Sequence, residues 1–523
     1  MLSYPCRKAT RKVRPAGTNV GGVPLIRIAL FMTLVALASV ACEGDGERNE
    51  PLVTFEDGVA SGDVTNDGAV LWTRAQGAAS VTAEVATDPS FDGAVTLEAE
   101  TAASRDFTVK VRATDLDADT RYYYRFRSGD TLSPEGTFVT APDASVSKPL
   151  RFVFSGDSDG ARLEDGTPPF NEFEVLDAAA ADDPAFFLYF GDTIYADTEP
   201  YAEDLAGFRR KYRENRGYEA LRNILAATST YNMWDDHEVY NDYAGTEVDA
   251  ALFEEAEQAF REYMPIDDEA NPDTLYRTFR WGADLEMIVL DERSYRDYSA
   301  VEDCREDDDT PADPLPAAAF DGAPDAIRGI REFTGLPEEL PPGCQETIKD
   351  PDRTMLGARQ KEYLFDWLSG TDATWKVIVN PVPIQSLLFQ PYDRWEGYAA
   401  EREEILTFIR DEGIDNVVFL TTDFHANIFG AVRVEPLAGA PVAYEAVAGP
   451  IAKSLFKADI ADVVGEAGAD AVDGFLRGLL QVDCAVTDAY SYGLVEVGAE
   501  RIRISARDDT GDEMCSVELE AKQ

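Results

Sequence analysis

An α/β protein with a small β-sandwich in front is what this sequence predicts, and three observations carry the prediction. Up to about residue 146 the apolar segments are short, strand-like and separated by turn residues, with no helical periodicity between them. From about residue 149, strand-like runs alternate with helical ones. Acidic and histidine residues then gather just past the carboxyl ends of those runs, where open α/β sheets bind ligands.

The chain begins with a segment outside both units. Residues 1 to 41 contain no acidic residue and six basic ones, Arg7, Lys8, Arg11, Lys12, Arg14 and Arg27, before an apolar run from 28 to 41. A basic start, a short apolar core and small residues at its end read as a secretory signal. The run is too short for a membrane span. Cys42 follows Ser39-Val40-Ala41 as in a bacterial lipobox, so lipidation of Cys42 is expected; ordinary cleavage near Ala41 is the alternative. Residues 42 to 51 read as a solvated tether.

The β-sandwich is expected over 52 to 146, with strands at 69–73, 80–85, 107–111 and 122–126. Leu116-x-x-x-Thr120-x-Tyr122 is similar to a turn of fibronectin type III domains in which a tyrosine hydroxyl ties down the loop. The α/β unit is expected over 147 to 523, with strands at 150–154, 185–190, 286–290, 375–379 and 416–420. A helix from 249 to 263 places Leu252, Ala256, Phe260 and Tyr263 on one face. Residues 302 to 352, dense in Asp, Glu and Pro, break this rhythm and read as an inserted surface loop.

With 99 acidic and 47 basic residues the chain carries a net charge of −52, and about −58 once the signal is removed. That opposes binding to nucleic acid, or to an anionic membrane, through a basic patch. Membrane association is expected only through a lipid on Cys42. Most of the carboxylates read as a solvated surface, so an anionic substrate needs local cations. Of six cysteines, Cys304, Cys344, Cys484 and Cys515 lie beyond the signal. An even number in an exported chain suggests two disulfides, and proximity favours Cys304–Cys344 and Cys484–Cys515.

The chemistry is concentrated in few residues. The chain has only two histidines, His237 and His425, each two residues after an aspartate. Asp157, Asp192, Tyr195, Asp236, His237, Asp423 and His425 all lie at or near strand ends. Any one of them reads equally well as a turn, a cap or a satisfied buried group. Together they exceed what one metal needs, so two or more ions are expected. Phenolate, carboxylate and imidazole favour a hard trivalent ion such as iron(III); an oxygen-rich set of Asp192, Asp236 and Asp423 suits calcium, magnesium or manganese. No thiolate pattern of a structural zinc site is present. Two metals sharing a carboxylate can generate a hydroxide and hold both ends of an in-line displacement at phosphorus. Arg293 and Arg296 are the candidate cations for phosphate oxygens, with an ion pair to nearby acids such as Asp291 or Asp297 as the equal alternative.

Several motifs in fixed order carry a resemblance. These are Gly191-Asp192-x-Ile194-Tyr195-Ala196-Asp197, Trp234-Asp235-Asp236-His237-Glu238, Leu290-Asp291-x-Arg293-x-Tyr295-Arg296, Leu356-Gly357-x-x-Gln360, Trp395-Glu396-Gly397-Tyr398 and Asp423-x-His425. With Gly58–Asp63 and Leu71–Arg74 they resemble the PhoD-type alkaline phosphatases over nearly the whole exported chain. The resemblance implies a calcineurin-like double β-sheet sandwich flanked by helices, with iron and calcium as cofactors and phosphate mono- and diesters as substrates. It gives Asp157, Asp192, Tyr195 and His425 to one metal, and Asp192, Asp236 and Asp423 to the other. His237 becomes the general acid, Arg293 a catalytic cation and Arg296 a substrate ligand. One departure stands out: Gly156-Asp157-Ser158 replaces a Ser-Cys-Gln in many relatives, so Asp157 is expected to bind through oxygen, as in purple acid phosphatases. That leaves zinc, manganese and magnesium as other ions.

The expected function is that of an exported, metal-dependent phosphoesterase acting on small phosphate mono- or diesters, periplasmic or at the cell surface and monomeric. The alternatives are a phospholipase-like phosphodiesterase and a non-catalytic surface protein stapled by its metals.

Overall fold

The structure, a computed structural model, describes residues 53–300, 342–386, 393–435, 438–478 and 482–522. Two large sheets pack face to face. The first has nine strands, in the order Glu513–Glu520, Arg501–Arg507, Tyr492–Val497, Leu150–Ser155, Phe186–Phe190, Ser229–Met233, Val59–Gly62, Ala69–Arg74 and Thr108–Ala113. The second has seven: Arg277–Trp281, Leu285–Val289, Trp375–Val379, Val417–Thr421, Ala443–Val447, Asn427–Val432 and Cys484–Val486. The double-sheet α/β architecture expected from the sequence is therefore present.

Residue alternation assigns the layers. In the second sheet Leu285, Met287 and Val289 face the first sheet, as do Trp375, Val377 and Val379, and Val418 and Leu420. Between them Ile288, Ile378, Val417 and Phe419 point the other way, onto Leu364, Trp367 and Leu368 of the helix Gly357–Gly370 and Ile405, Leu406 and Ile409 of the helix Ala399–Asp411. Strands buried on both faces read as continuous apolar runs for this reason. Each such aliphatic side chain contributes about 1.5–3 kcal/mol by leaving water. The helix Ala250–Tyr263 starts where Asp249 accepts hydrogen bonds from the amides of Ala251 and Leu252, and it buries Ala256, Phe260 and Tyr263 as expected.

The N-terminal region is sandwich-like, but its two layers belong to different parts of the molecule. Val95–Glu100, Ser80–Ala86, Arg121–Ser128 and Thr131–Leu132 form a separate sheet, with Gly136–Val139 alongside Arg121–Ser128. The facing layer, Val59–Gly62, Ala69–Arg74 and Thr108–Ala113, continues the nine-stranded sheet, because Val59–Gly62 pairs in parallel with Ser229–Met233. The tyrosine turn is present: the Asp117 amide donates to the Tyr122 hydroxyl at 2.8 Å.

Cys484 and Cys515 form a disulfide. It ties the last strand of the second sheet to the last strand of the first, across the open edge of the sandwich. Cys344 is buried in the short helix Pro342–Ile348, whereas Cys304, Cys42 and the signal lie outside the described residues. No helix among the described residues is long and apolar enough to cross a membrane.

Candidate metal centre

The carboxyl ends of the parallel strands meet at one rim. Leu150–Ser155, Phe186–Phe190 and Ser229–Met233 run parallel in one sheet, and Leu285–Val289, Trp375–Val379, Val417–Thr421 and Ala443–Val447 in the other. Each strand of the first set hands its last residues to the next: the Asp157 amide donates to Gly191 O at 3.1 Å, Ser158 to Asp192 O at 2.9 Å, and Gly191 to Met233 O at 3.1 Å. These turns need residues in the left-handed region. Asp157 (φ 57°), Asp192 (48°), Asp423 (66°) and His425 (54°) all lie there. Aspartate tolerates that conformation better than most residues, though strain at such positions costs of order 1–3 kcal/mol each. Gly156 has a second reason: a Cβ on it would stand 2.2 Å from Phe190 O.

Side chains of four strand ends converge. Ligand atoms of Asp157, Asp192 and His425 lie within 4.8 Å of one another, and so do those of Asp192, Asp236 and His237. Asp192 is common to both groups, as expected of a bridging ligand. Tyr195 is buried beside the first group, its hydroxyl 3.4 Å from His425 Nε2. Asp157 is fully buried, yet neither of its carboxylate oxygens has a hydrogen-bond partner; Asp236 Oδ1 and Asp235 Oδ2 are also buried without one. Isolated buried carboxylates cost several kcal/mol. Burial and the charges of Asp423 and Asp235 push the Asp157 carboxyl well above its usual range, and burial with Asp236 and Asp235 does the same for Asp192. A hard cation removes that penalty, so the residues present fit one.

The two histidines have different surroundings. Burial pulls His425 down, which keeps the imidazole neutral and able to ligate; Asp459 on the helix Phe456–Val464 approaches its Nδ1 at 3.9 Å. His237 donates from Nδ1 to Asp197 Oδ1 at 2.6 Å, while its Nε2 stands 3.9 Å from Asp192 Oδ2. Burial lowers His237, but Asp197 and Asp236 outweigh it and raise it to about 9. Asp197 is fixed in turn by the Asn241 amide at 2.9 Å.

Three expected roles change on inspection of the contacts. Arg293 and Arg296 are fully buried and do not face open space. Arg293 donates through Nε to Asp235 and through Nη1 to Asp393 at 2.9 Å; Arg296 donates through Nη2 to the same Asp393 oxygen at 2.9 Å. They form an ion-pair network, but with Asp235 and Asp393 and not with Asp291 or Asp297. Asp423, expected beside Asp192 and Asp236, accepts at Oδ2 from Arg394 Nε at 2.8 Å. In the second group the geometry sets His237 beside the two aspartates. Asp242 and Asp393 form a further acidic group with Asp236, already loaded with these guanidinium bonds.

Reasoning from sequence missed Asp197, Asp235, Asp393, Arg394 and Lys453. Asp197 and Asp235 stood inside the quoted motifs and could have been found there. Lys453 had no such signal; its ammonium lies 3.7 Å above the Tyr195 ring and 3.0 Å from Asp159.

With this geometry in place, the comparisons are specific. Residues 160–505 match the model of the PhoD-like phosphatase family, and residues 40–142 that of the PhoD-like phosphatase N-terminal domain. Alkaline phosphatase D of Bacillus subtilis (strain 168) is 29% identical over 467 residues, covering 79% of this chain and 72% of that protein. A solved structure of PhoD aligns with a TM-score of 0.70 at 25% identity over 89% of both chains. Purple acid phosphatase PPD1 from yellow lupin seeds shares the fold, with a TM-score of 0.53 at 11% identity over 88% of this chain and 73% of that one.

Proposed function

Because the chain belongs to the PhoD-like phosphatase family, and is thus a metal-dependent phosphoric ester hydrolase, we propose that it releases phosphate from small mono- or diesters outside the cytoplasm. The single observation that supports this most is Asp157: a buried carboxylate with both oxygens unpartnered, within 4.8 Å of Asp192 and His425 ligand atoms.

Asp157, Asp192, Tyr195 and His425 would hold one cation, and Asp192 with Asp236 the other. Tyr195 and His425 favour iron(III) on the first side, and the carboxylates favour calcium on the second, with magnesium, manganese or zinc as substitutes. Bound there, the cations supply positive charge for the phosphoryl oxygens and acidify the attacking water. The chain's own residues do the rest. Asp197 occupies His237 Nδ1, which fixes the ring and leaves Nε2 directed towards Asp192. His237 in that pose delivers a proton from Nε2 to the departing ester oxygen. Arg293 acts as a positioning residue: it holds Asp235, and its Nη2 lies 3.6 Å from Asp236 Oδ2.

The Cys484–Cys515 disulfide supports an oxidising compartment. Export through the N-terminal signal and anchoring through Cys42 complete the proposal.

The test pairs metal analysis of the purified protein with turnover of 4-nitrophenyl phosphate and bis(4-nitrophenyl) phosphate. Inactivity on both with the metals fully loaded overturns the substrate class. His425→Ala is expected to lose metal; a variant that retains full occupancy removes His425 from the ligand set.

A further inference from the structure

The opposite rim of the nine-stranded sheet holds a second concentration of charge, of the other sign. Asp57 and Gly58 lead into Val59–Gly62, which runs parallel to Ser229–Met233, so they lie at the amino ends of the strands whose carboxyl ends carry the metal centre. A cavity of about 560 Å³ opens there, lined in part by Arg74, Arg213, Arg216 and Arg222.

Of the three carboxylates in its wall, Glu56 is exposed to solvent and the other two are already taken. Asp57 Oδ2 accepts from Arg74 Nη1 at 3.0 Å. Asp106 accepts from Arg74 at 3.0 Å, and from Arg213 and the Tyr263 hydroxyl. Two arginines remain without a carboxylate among the described residues. Arg222 gives one bond, from Nη1 to Arg216 O at 2.6 Å. Arg216 gives one, from Nη2 to Tyr263 O at 2.9 Å, and its buried Nη1 has no partner.

Both side chains are held in place. The Arg216 guanidinium stacks over Trp72 at 4.1 Å. The Arg222 stem lies along Gly58, where a Cβ would stand 3.4 Å from its Cδ; Gly58 (φ 74°) leaves that path clear. Burial also lowers Arg216 to about 10, outweighing the opposite pull of Asp57. Guanidinium forks fixed before binding are the arrangement that recognises phosphate-like oxyanions.

We propose that this cavity is a non-catalytic binding site for a small tetrahedral oxyanion, inorganic phosphate being the fitting probe, held by Arg222 with Arg216 behind it. The site stands on its own geometry and is independent of the reaction at the other rim.

The experiment is equilibrium dialysis of the metal-loaded protein against labelled inorganic phosphate, on wild type, Arg222→Ala and Arg222→Gln. Wild type is expected to take up one equivalent more than either variant at the same free phosphate. At the cavity the affinity falls about 10- to 100-fold in both variants. Aryl phosphate turnover is expected to stay at the wild-type value, which also certifies that the variants fold. Equal phosphate uptake by wild type and both variants overturns the proposal. Failure of the catalytic reading instead shows as lost turnover in wild type with the Arg222-dependent equivalent still present.

Discussion

Ser61-Gly62-Asp63 and Ser155-Gly156-Asp157 are the same tripeptide at the same place, the carboxyl end of a strand in the nine-stranded sheet. Both glycines are pressed against a neighbouring backbone: a Cβ on Gly62 would stand 2.4 Å from Pro265 O, and one on Gly156 2.2 Å from Phe190 O. Both aspartates are left-handed, at φ 44° and 57°, and both are buried. Their surroundings are opposite. Asp63 accepts from Arg277 Nε at 3.0 Å and Nη2 at 2.9 Å and from the Asp267 amide at 2.8 Å. Asp157 accepts from nothing and faces Asp192 and His425. A satisfied carboxylate is a structural joint. An identical one without donors, set among other ligands, is a place for a cation.

The largest expected effect separates these two directly. Asp157→Ala should lower phosphatase turnover by at least about 100-fold, with loss of bound metal, and leave the chelator-treated protein as stable as wild type or more so, because an unpartnered buried charge is gone. Unchanged metal content and turnover would make Asp157 a second structural joint and erase the contrast. The next effect belongs to the proton donor: His237→Ala should cut kcat by about 10²–10⁴ with the metals retained. Loss of metal in that variant would turn His237 into a ligand, as its place beside Asp192 and Asp236 permits.

Asp63→Ala should do the reverse of Asp157→Ala. It strands Arg277, only 4% exposed, and should cost about 3–5 kcal/mol in chemical denaturation while kcat per folded molecule holds. A stability loss under 1 kcal/mol, on the order of a surface change, would show that the pairing does not matter. Asp106 gives the smallest effect and a pH signature. It is a further left-handed aspartate (φ 49°) with donors from Tyr263, Arg74 and Arg213. Burial pushes its carboxyl up, but the Tyr263 and Arg74 hydrogen bonds outweigh that and leave it below its ordinary value of 3.8. A depressed carboxyl stabilises the fold above the unfolded value and loses that contribution as pH falls through the folded one. The stability gap between wild type and Asp106→Asn should therefore be full at pH 6 and close below about pH 4. Partial exposure limits it to about 1 kcal/mol. A gap that persists unchanged at pH 3 would place the effect in packing.

Much of the fold was legible because its cues are local. Short apolar runs at 375–379 and 417–421, with helical periodicity at 249–263, report their own elements. The same holds for the site, since ligands at strand ends travel with their strands. What stayed hidden was non-local. The sequence at 58–63 reads only as a motif of the front domain, and nothing within it says that Val59–Gly62 is a strand beside Ser229–Met233. Arg293 reads as a cation free for phosphate until Asp393, a hundred residues later, folds against it.

By itself, then, the sequence determined the elements, the family motifs and the gathering of Asp157, Asp192, Asp236, His237 and His425 at strand ends. Backbone conformation and burial periodicity are set by residues a few positions apart. Only the tertiary structure decided which of those charges are answered by a partner: Asp63 by Arg277, Asp423 by Arg394, and Asp157 by no hydrogen-bond donor among the described residues. A buried charge is worth what surrounds it, and those surroundings come from distant segments that meet only when the sheets close.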